Sequence, residues 1–591
     1  MKTNHLGSAD PTRLLQTALA WRDDDPDPRT KDELDLLIRQ ASADGRTPER
    51  ASARRRAISE LADRFSGPLE FGTAGLRGAI GAGPHRMNRA VVIRTTAGLA
   101  KYLVERVPKR PRVVVGFDAR TDSDVFAQDT CAVLCAAGCE VSLLPRPLPT
   151  PVLAHAVRRM GADAGVMITA SHNPPGDNGY KLYLGGRADT TTGQGAQIVS
   201  PADLEIAERI DAVGPTLQIR RSKGGWRLLG EELLDGYLRQ AADLLVTGGP
   251  RRLNIVVTPL HGVGGEALSR AIVLAGFPAP HLVPEQAVPD PGFPTVAFPN
   301  PEETGALDLG VGAARERGAD LLLANDPDAD RCAVAVPDPS LPREEGGAMP
   351  WRVLRGDEVG VLLAEHLLTR GPLPLPRDRA TVACSIVSSR MLSRIAAAHG
   401  VRHAETLTGF KWISRTGNLV YGYEEALGYC VAPDLVRDKD GITAALLIAE
   451  LTARLADRGR TLLDLLDDLA VRHGVHLTDQ VSLRVDAPET IRRIMDRLRR
   501  EPPIRLAGHQ VARTEDLATG DSGLPSTDAL RYLMTDGSRV IVRPSGTEPK
   551  VKCYLETIAD VSDREALDDV RRSAEAHMAV LHEEVAKILS H

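Results

Sequence analysis

The chain has 591 residues, 42% apolar and 26% charged, as expected for a globular, core-forming protein. Its formal net charge of −6 argues against a nucleic-acid partner and against an acidic membrane surface. At roughly 150 residues per domain, the length predicts about four domains. Residues 1–10 are polar, so no signal peptide is expected. No window reaches the roughly 18 uninterrupted apolar residues that span a bilayer, and a cytoplasmic location is expected.

In chain order, Asp10-Pro11 predicts a helix cap followed by proline in the first turn, leading into Leu14, Leu15 and Leu19. Further helices are predicted at 31–40 and 54–65, where Arg54, Arg55 and Arg56 form a solvated face. Short apolar runs at 112–116, 140–144 and 164–168 then alternate with Ala-rich helical stretches. Similar units recur at 254–257 and 320–323, and at 381–387 followed by a helix at 389–398. This alternation predicts βαβ units with a mostly parallel sheet. The last segment differs, with strands at 480–485 and 539–543 and helices at 489–499 and 563–589. It reads as a smaller α+β domain.

Seven cysteines in a chain of this length do not make a disulfide framework. Cys131, Cys135 and Cys139 recur at helical spacing and predict a buried apolar stripe, since no Cys-x-x-Cys pair is present to bind metal.

In open α/β sheets ligands bind beyond the carboxyl ends of the strands, so the loops after strands carry the functional signal. The first is Thr169-Ala170-Ser171-His172-Asn173-Pro174, which places a hydroxyl in a cleft beside polar groups, or forms a capped polar turn. The second is Asn325-Asp326-Pro327-Asp328-Ala329-Asp330-Arg331. Alternate carboxylates in an extended segment share a side and repel unless a cation neutralises them; their hard oxygens suit magnesium. An EF-hand is excluded, because Arg331 stands where that loop needs Gly and Pro337 where it needs Glu.

The third loop, Arg543-Pro544-Ser545-Gly546-Thr547, offers a bidentate fork, hydroxyls and backbone N–H groups for an anion, or else a surface turn. A fourth region joins Thr408-Gly409-Phe410-Lys411-Trp412 to Gly422-Tyr423-Glu424-Glu425-Ala426, where paired glutamates can bond sugar hydroxyls or face solvent. No Gly-Lys dipeptide supports a Walker A loop, and no Gly-x-Ser-x-Gly elbow surrounds Ser171.

These loops, in this order between Gly72 and Lys552, resemble the α-D-phosphohexomutase superfamily. Phe71-Gly-Thr-Ala-Gly-Leu-Arg-Gly78 and 408–412 are similar to its longer branch, which includes phosphoglucomutases and phosphopentomutases. The resemblance implies an α/β protein of four domains around a central cleft. Three are related mixed-sheet α/β domains and the fourth is a smaller C-terminal α+β domain. The expected boundaries are a helical extension at 1–65, then domains at 66–214, 215–340, 341–474 and 475–591.

By the same resemblance Ser171 is the phosphoserine, and it joins Asp326, Asp328 and Asp330 in holding one Mg2+. Arg77, His172 and Lys181 are expected near the reacting hydroxyl; Lys181, its pKa lowered by nearby cations, is the candidate proton carrier or else only an electrostatic contact. Arg331 would neutralise the transferring group. Thr408, Gly409, Glu424 and Glu425 match sugar contacts. Arg437, Lys439, Arg543, Ser545, Gly546 and Thr547 match contacts to the non-reacting phosphate. The family's common Glu-x-Ser is here Glu424-Glu425-Ala426, which removes a hydroxyl from the sugar contacts.

The implied activity is a phosphosugar mutase, glucose 1-phosphate to glucose 6-phosphate first, with mannose or pentose phosphates as alternatives. A sugar bisphosphate is the implied activator. A silent sugar-phosphate-binding protein is the reading from another class. The partner is a small phosphosugar, with no nucleic acid and no membrane, and the protein is expected to be a monomer or homodimer.

Overall fold

The computed structural model describes residues 10–44, 46–72, 75–343, 349–485, 488–521, 523–545 and 550–590. The chain opens with helices Pro11–Asp24, Pro28–Ala41 and Pro48–Arg64, each with proline in its first turn. The side chains of Asp10, Asp27 and Thr47 accept from backbone N–H groups of those first turns, which fixes each start. Leu14, Ala18, Leu34, Ile38, Ala57 and Leu61 bury one face of the trio against Ala82. Arg54, Arg55 and Arg56 are exposed, as expected. The trio is fastened to the body by Arg29–Asp122 at 3.0 Å, and by Asp24, which accepts from the N–H groups of Thr216 and Leu217.

Four sheets follow. The first runs in spatial order Leu76–Ala79, Asp177–Leu184, Ala164–Ile168, Arg112–Phe117, Glu140–Leu143, Arg227–Leu228. The second runs Trp351–Val353, Ala333–Pro337, Leu321–Ala324, Ile255–Thr258, His281–Leu282. The third runs Arg402–Thr406, Thr381–Ser385, Leu419–Glu424, Gly428–Cys430. Each of these three combines parallel neighbours with an antiparallel return beside them. Ala164–Ile168 returns as Asp177–Leu184, Leu321–Ala324 as Ala333–Pro337, and Leu419–Glu424 as Gly428–Cys430. The loop inside each return is one of the loops singled out from the sequence.

The fourth sheet is wholly antiparallel, in order Val475–Arg484, Lys550–Ala559, Arg539–Pro544, Leu530–Met534, His509–Asp516, Arg505–Leu506. Its Arg543 loop lies in the same kind of return, between Arg539–Pro544 and Lys550–Ala559. Helices Pro488–Arg500 and Leu567–Ser590 cover one face through Met495, Leu498, Leu581 and Val585. The fold is therefore the expected set of three mixed α/β units and a C-terminal α+β unit.

One apolar core runs through the first three sheets, from Val114 and Leu153 through Leu268 and Leu323 to Leu447 and Leu469. At about 25 cal/mol per Å2 of apolar surface, so extensive a shared core binds these units into one body. The fourth unit meets the third through Ile386, Val387 and Leu407 against Leu517, Ala529 and Ile541. No helix among the described residues is long and apolar enough to cross a membrane.

Some local expectations are corrected. The helix Ser123–Ala136 stops before Cys139, so the three cysteines do not form one helical stripe. Gly138, at φ +90°, turns the chain, and the N–H groups of Gly138 and Cys139 donate to the carbonyls of Cys135 and Leu134. Cys139 is still buried, and all seven cysteines are free. The last helix begins at Leu567 rather than 563, because the Asp563 carboxylate accepts from the Ala566 N–H ahead of it. The strand predicted from 480 begins at Val475 and pairs with Ala559 from its first residue.

Candidate active site

Ser171 lies at the carboxyl end of Ala164–Ile168, with φ of +55° and only 1% of its surface exposed. A left-handed backbone costs a residue with a Cβ about 1–3 kcal/mol and persists only where its surroundings impose it. Here the imposing group is Arg120. Its buried guanidinium donates to the carbonyls of Ser171 at 2.7 Å, Asn173 at 2.5 Å, Pro174 at 2.8 Å and Asp177 at 3.1 Å. Asp118 lies 3.6 Å from that guanidinium and accepts from the Arg120 N–H and the Ser123 hydroxyl. The Ser171 N–H donates to Thr169 Oγ1 at 2.9 Å.

The serine hydroxyl faces the second domain's loop. Ser171 Oγ donates to Asp326 Oδ2 at 2.7 Å and stands 3.3 Å from His172 Nδ1. Asp326, Asp328 and Asp330 are fully buried and present oxygens within 4.8 Å of one another. Thr150 reaches this loop twice, through its N–H to the Asp328 carbonyl at 2.9 Å and its hydroxyl to Asp328 Oδ2. Lys181, from the return strand Asp177–Leu184, bridges Asp328 Oδ2 at 2.6 Å and Asp330 Oδ2 at 2.7 Å. Lys439 reaches Asp330 at 3.3 Å. The remaining oxygens, Asp328 Oδ1 and Asp330 Oδ1, are buried without a hydrogen-bond partner. Three converging carboxylates with orphaned buried oxygens, beside one hydroxyl, form an all-oxygen donor set that fits a hard divalent cation.

Burial, then the charges of Asp328 and Asp330, push Asp326 up to about 8. Burial opposes ionisation of Asp330 as well, but Lys181, Lys439 and Arg331 hold it below the usual carboxylate range. For Lys181 burial pulls the pKa down, yet Asp328 and Asp330 outweigh it and raise it. The expected lowered pKa of Lys181 is thus reversed, because its nearest partners are carboxylates rather than cations. Burial, with the charges of Arg331 and Arg77, pushes His172 well below the usual histidine range and keeps the imidazole neutral.

The other loops converge from three sides. Arg77 donates to Asn173 Oδ1 at 3.3 Å, within the serine loop. Arg331 lies 3.6 Å from Glu302, 3.9 Å from Asp330 and 4.0 Å from Asp326, and bridges by backbone to Gly428. That bridge joins the aspartate loop to the return of the third sheet. There the two glutamates differ. Glu425 accepts from the Ser385 hydroxyl at 2.9 Å and the Ser388 hydroxyl at 3.0 Å. Burial raises the Glu424 pKa, while the charges of Lys439 and Arg331 beside it act the other way.

Thr408 and Gly409 precede the short helix Phe410–Ile413, with Gly409 at φ +104°. From that helix Lys411 donates to the Gly72 carbonyl at 3.2 Å, bringing the Thr408 loop against the first domain. Arg437 donates to the Ser414 carbonyl at 3.0 Å, so of the two basic residues named here Lys439 makes the ion pair to the triad.

Arg543 lies on the strand Arg539–Pro544, opposite Lys552 on Lys550–Ala559. Ser545 donates its N–H to the Lys550 carbonyl at 2.8 Å, closing the loop. Gly546 and Thr547 lie outside the described residues. Behind this loop, buried Glu556 binds Arg390 at 2.6 Å and Arg539 at 3.0 Å, and Arg539 donates to the Ser388 carbonyl. Ser388 is also a Glu425 partner, so one polar chain connects the glutamate loop to the fourth domain.

Four family models match this chain: phosphoglucomutase/phosphomannomutase alpha/beta/alpha domain I at 68–214, domain II at 235–339, domain III at 355–472, and the C-terminal domain at 488–573. The chain belongs to the phosphoglucomutase/phosphomannomutase family. It is 44% identical over 498 residues to a probable phosphomannomutase of Haemophilus influenzae, covering 84% of this chain and 97% of that one. It is 33% identical over 622 residues to the phosphoribomutase of Saccharomyces cerevisiae, covering 94% of each. In fold it is similar to a putative phosphomannomutase from Thermus thermophilus, with a TM-score of 0.65 and 24% identity over 89% of this chain and 100% of that one. The chain is therefore a mutase of the phosphohexomutase superfamily.

Proposed function

We propose that this mutase interconverts glucose 1-phosphate and glucose 6-phosphate through a phosphorylated Ser171 and a bisphosphorylated sugar. The observation that carries the reading is the buried bond from Ser171 Oγ to Asp326 Oδ2, 2.7 Å long, inside a set of carboxylates from a second domain. The substrate hydroxyl oxygen bonds to phosphorus as the bond from phosphorus to Ser171 Oγ breaks. His172, neutral and 3.3 Å from Ser171 Oγ, takes the hydroxyl proton at Nδ1 and returns it to the serine. Lys181 stays an ammonium and fixes Asp328 and Asp330. Arg331 and Arg77 supply positive charge at the transferring group.

Glu424 and the Thr408 loop face the sugar hydroxyls, while Glu425 is held by its serines. Lys439, Arg543, Ser545, Gly546 and Thr547 hold the phosphate that is not reacting. After the first transfer the bisphosphate turns around in the cleft and returns its other phosphate to Ser171. A sugar bisphosphate restores the phosphoserine when it is lost.

We also propose Asp326, Asp328, Asp330 and Ser171 as the ligands of one Mg2+. When bound, the ion neutralises charge on the transferring group. A carboxylate whose folded pKa is about 8 and unfolded pKa about 3.9 binds more protons folded than unfolded between those values. Metal-free stability therefore falls as pH rises through that window, and the cation competes with the Asp326 proton. The rise in Tm on adding Mg2+ is expected to grow between pH 6 and 8.5 and to be flat in Asp326→Asn. Thermal unfolding at fixed Mg2+ across that range checks this; an equal shift at every pH contradicts it.

Arg543→Ala is expected to raise KM about 10- to 100-fold with little change in kcat, since a charged hydrogen bond contributes about 1.5–3 kcal/mol. An unchanged KM removes Arg543 from the phosphate cradle.

A second reading, favoured by the names of the two relatives, is mannose or ribose phosphate as substrate. Comparing kcat/KM for glucose, mannose and ribose 1-phosphates decides the sugar. We further propose that the functional units follow the sheets. The first then runs to Leu228 and the second to Val353, beyond the joints at 214 and 340.

A further inference from the structure

On the C-terminal domain three side chains from separate elements converge, remote in role from the aspartate loop. His509 opens the strand His509–Asp516, Asp536 sits in the turn between Leu530–Met534 and Arg539–Pro544, and His577 lies on the helix Leu567–Ser590. His577 Nε2 is 3.0 Å from Asp536 Oδ2, and His509 Nε2 is 3.8 Å from the same oxygen. The two imidazoles stand edge to face with centroids 5.0 Å apart. All three donor atoms lie within 4.8 Å of one another.

We propose that His509, Asp536 and His577 form a zinc site. Ligands at about 2.0–2.1 Å in a tetrahedron stand about 3.3 Å from one another, and the observed 3.0 and 3.8 Å bracket that spacing. Two imidazole nitrogens with one carboxylate suit zinc, whereas the all-oxygen aspartate set suits magnesium, so the two sites select different ions. The carboxylate is already oriented: Asp536 Oδ1 accepts from the Ser538 N–H at 3.0 Å, and Oδ2 from the Ser538 hydroxyl at 2.7 Å. That hydroxyl also lies 3.3 Å from His577 Nε2. The side chains are 43%, 20% and 22% exposed for His509, Asp536 and His577, which leaves a path for the ion and a fourth position for water.

The site would pin the last helix to two turns of the sheet. One of them feeds Arg539–Pro544, the strand that presents Arg543. Zinc here would stiffen the phosphate-holding domain without taking part in phosphoryl transfer.

The test uses the full-length protein, freed of transition metals by chelation and kept in Mg2+. Cobalt(II), a spectroscopic stand-in for zinc, is titrated while visible d–d absorption is followed. The wild type is expected to develop an intense tetrahedral-type band that saturates at one equivalent and is abolished by one equivalent of zinc. His509→Ala and His577→Ala should each lose the band, and Asp328→Asn should keep it. Unchanged far-ultraviolet circular dichroism in the two histidine variants separates loss of ligands from loss of fold. No intense band in the wild type, or a band that survives His577→Ala and vanishes in Asp328→Asn, overturns the proposal.

Discussion

Ser171→Ala is expected to lower turnover by about 10^4-fold or more while sugar phosphate binding persists. Removing a nucleophile that acts as one unit with its neighbours typically costs that much or more in kcat. The loss should be confined to chemistry, because the loop's shape does not depend on the serine hydroxyl. Arg120 holds the backbone carbonyls of Ser171, Asn173, Pro174 and Asp177, and alanine keeps all four acceptors. Substrate contacts proposed for Arg543, Lys439 and Glu424 come from other loops. Steady-state rates with calorimetric binding separate the two quantities. Turnover within about tenfold of wild type removes the serine from the reaction.

Asp328→Asn carries the next largest expected effect, about 10^3-fold in kcat/KM, or about 4 kcal/mol at about 1.4 kcal/mol per decade. Asp328 is fully buried, one oxygen accepts from Lys181 and Thr150, and the other has no partner. The amide keeps the volume but removes the charge that would face a cation. If the residue acts through the metal, chelating the wild type and mutating Asp328 should not add. Chelator should cost the wild type about as much as the substitution does and should cost the variant little more. Additive losses show that Asp328 acts independently of any cation. A substitution that leaves Mg2+ affinity unchanged removes it from the ligand set.

The chemistry-bearing loops were legible because each follows a buried apolar run, and side chains beyond strand ends have few roles in a core. Ser171 bonds Asp326, and Lys181 bonds Asp328 and Asp330, so the serine and aspartate loops lie together. What was not legible depends on distance along the chain. Arg120 lies just beyond the run predicted at 112–116, but its acceptors are backbone carbonyls of the serine loop, from Ser171 onward. Thr150 carries no motif at all, yet its hydroxyl and N–H both reach Asp328.

The strand Asp177–Leu184, which delivers Lys181, was hidden by Asn178-Gly179, a pair that ordinarily marks a turn. Here Asn178 bonds the Thr121 carbonyl and the Ser123 hydroxyl. A Cβ on Gly179 would lie 2.6 Å from the Thr169 carbonyl oxygen and 2.7 Å from that of Leu76. The glycine permits close packing rather than a bend. The charge state of Lys181 was likewise out of reach, because its sign depends on which neighbours, cations or carboxylates, are nearer in space. Glu424 and Glu425 are adjacent and alike in sequence. Only the fold separates them, by bringing Ser385 and Ser388 to Glu425.

The proposed mechanism depends on a phosphoryl group carried by one side chain, and intact-mass spectrometry measures that directly. The wild type, treated with a sugar bisphosphate and freed of excess ligand, should carry one phosphoryl group, mapped by peptide fragmentation to Ser171. Excess glucose bearing no phosphate should leave it in place, whereas glucose 1-phosphate labelled on phosphorus should exchange it within the turnover time. A chain that turns over substrate while never carrying phosphate, or that carries it on a residue other than Ser171, contradicts the account.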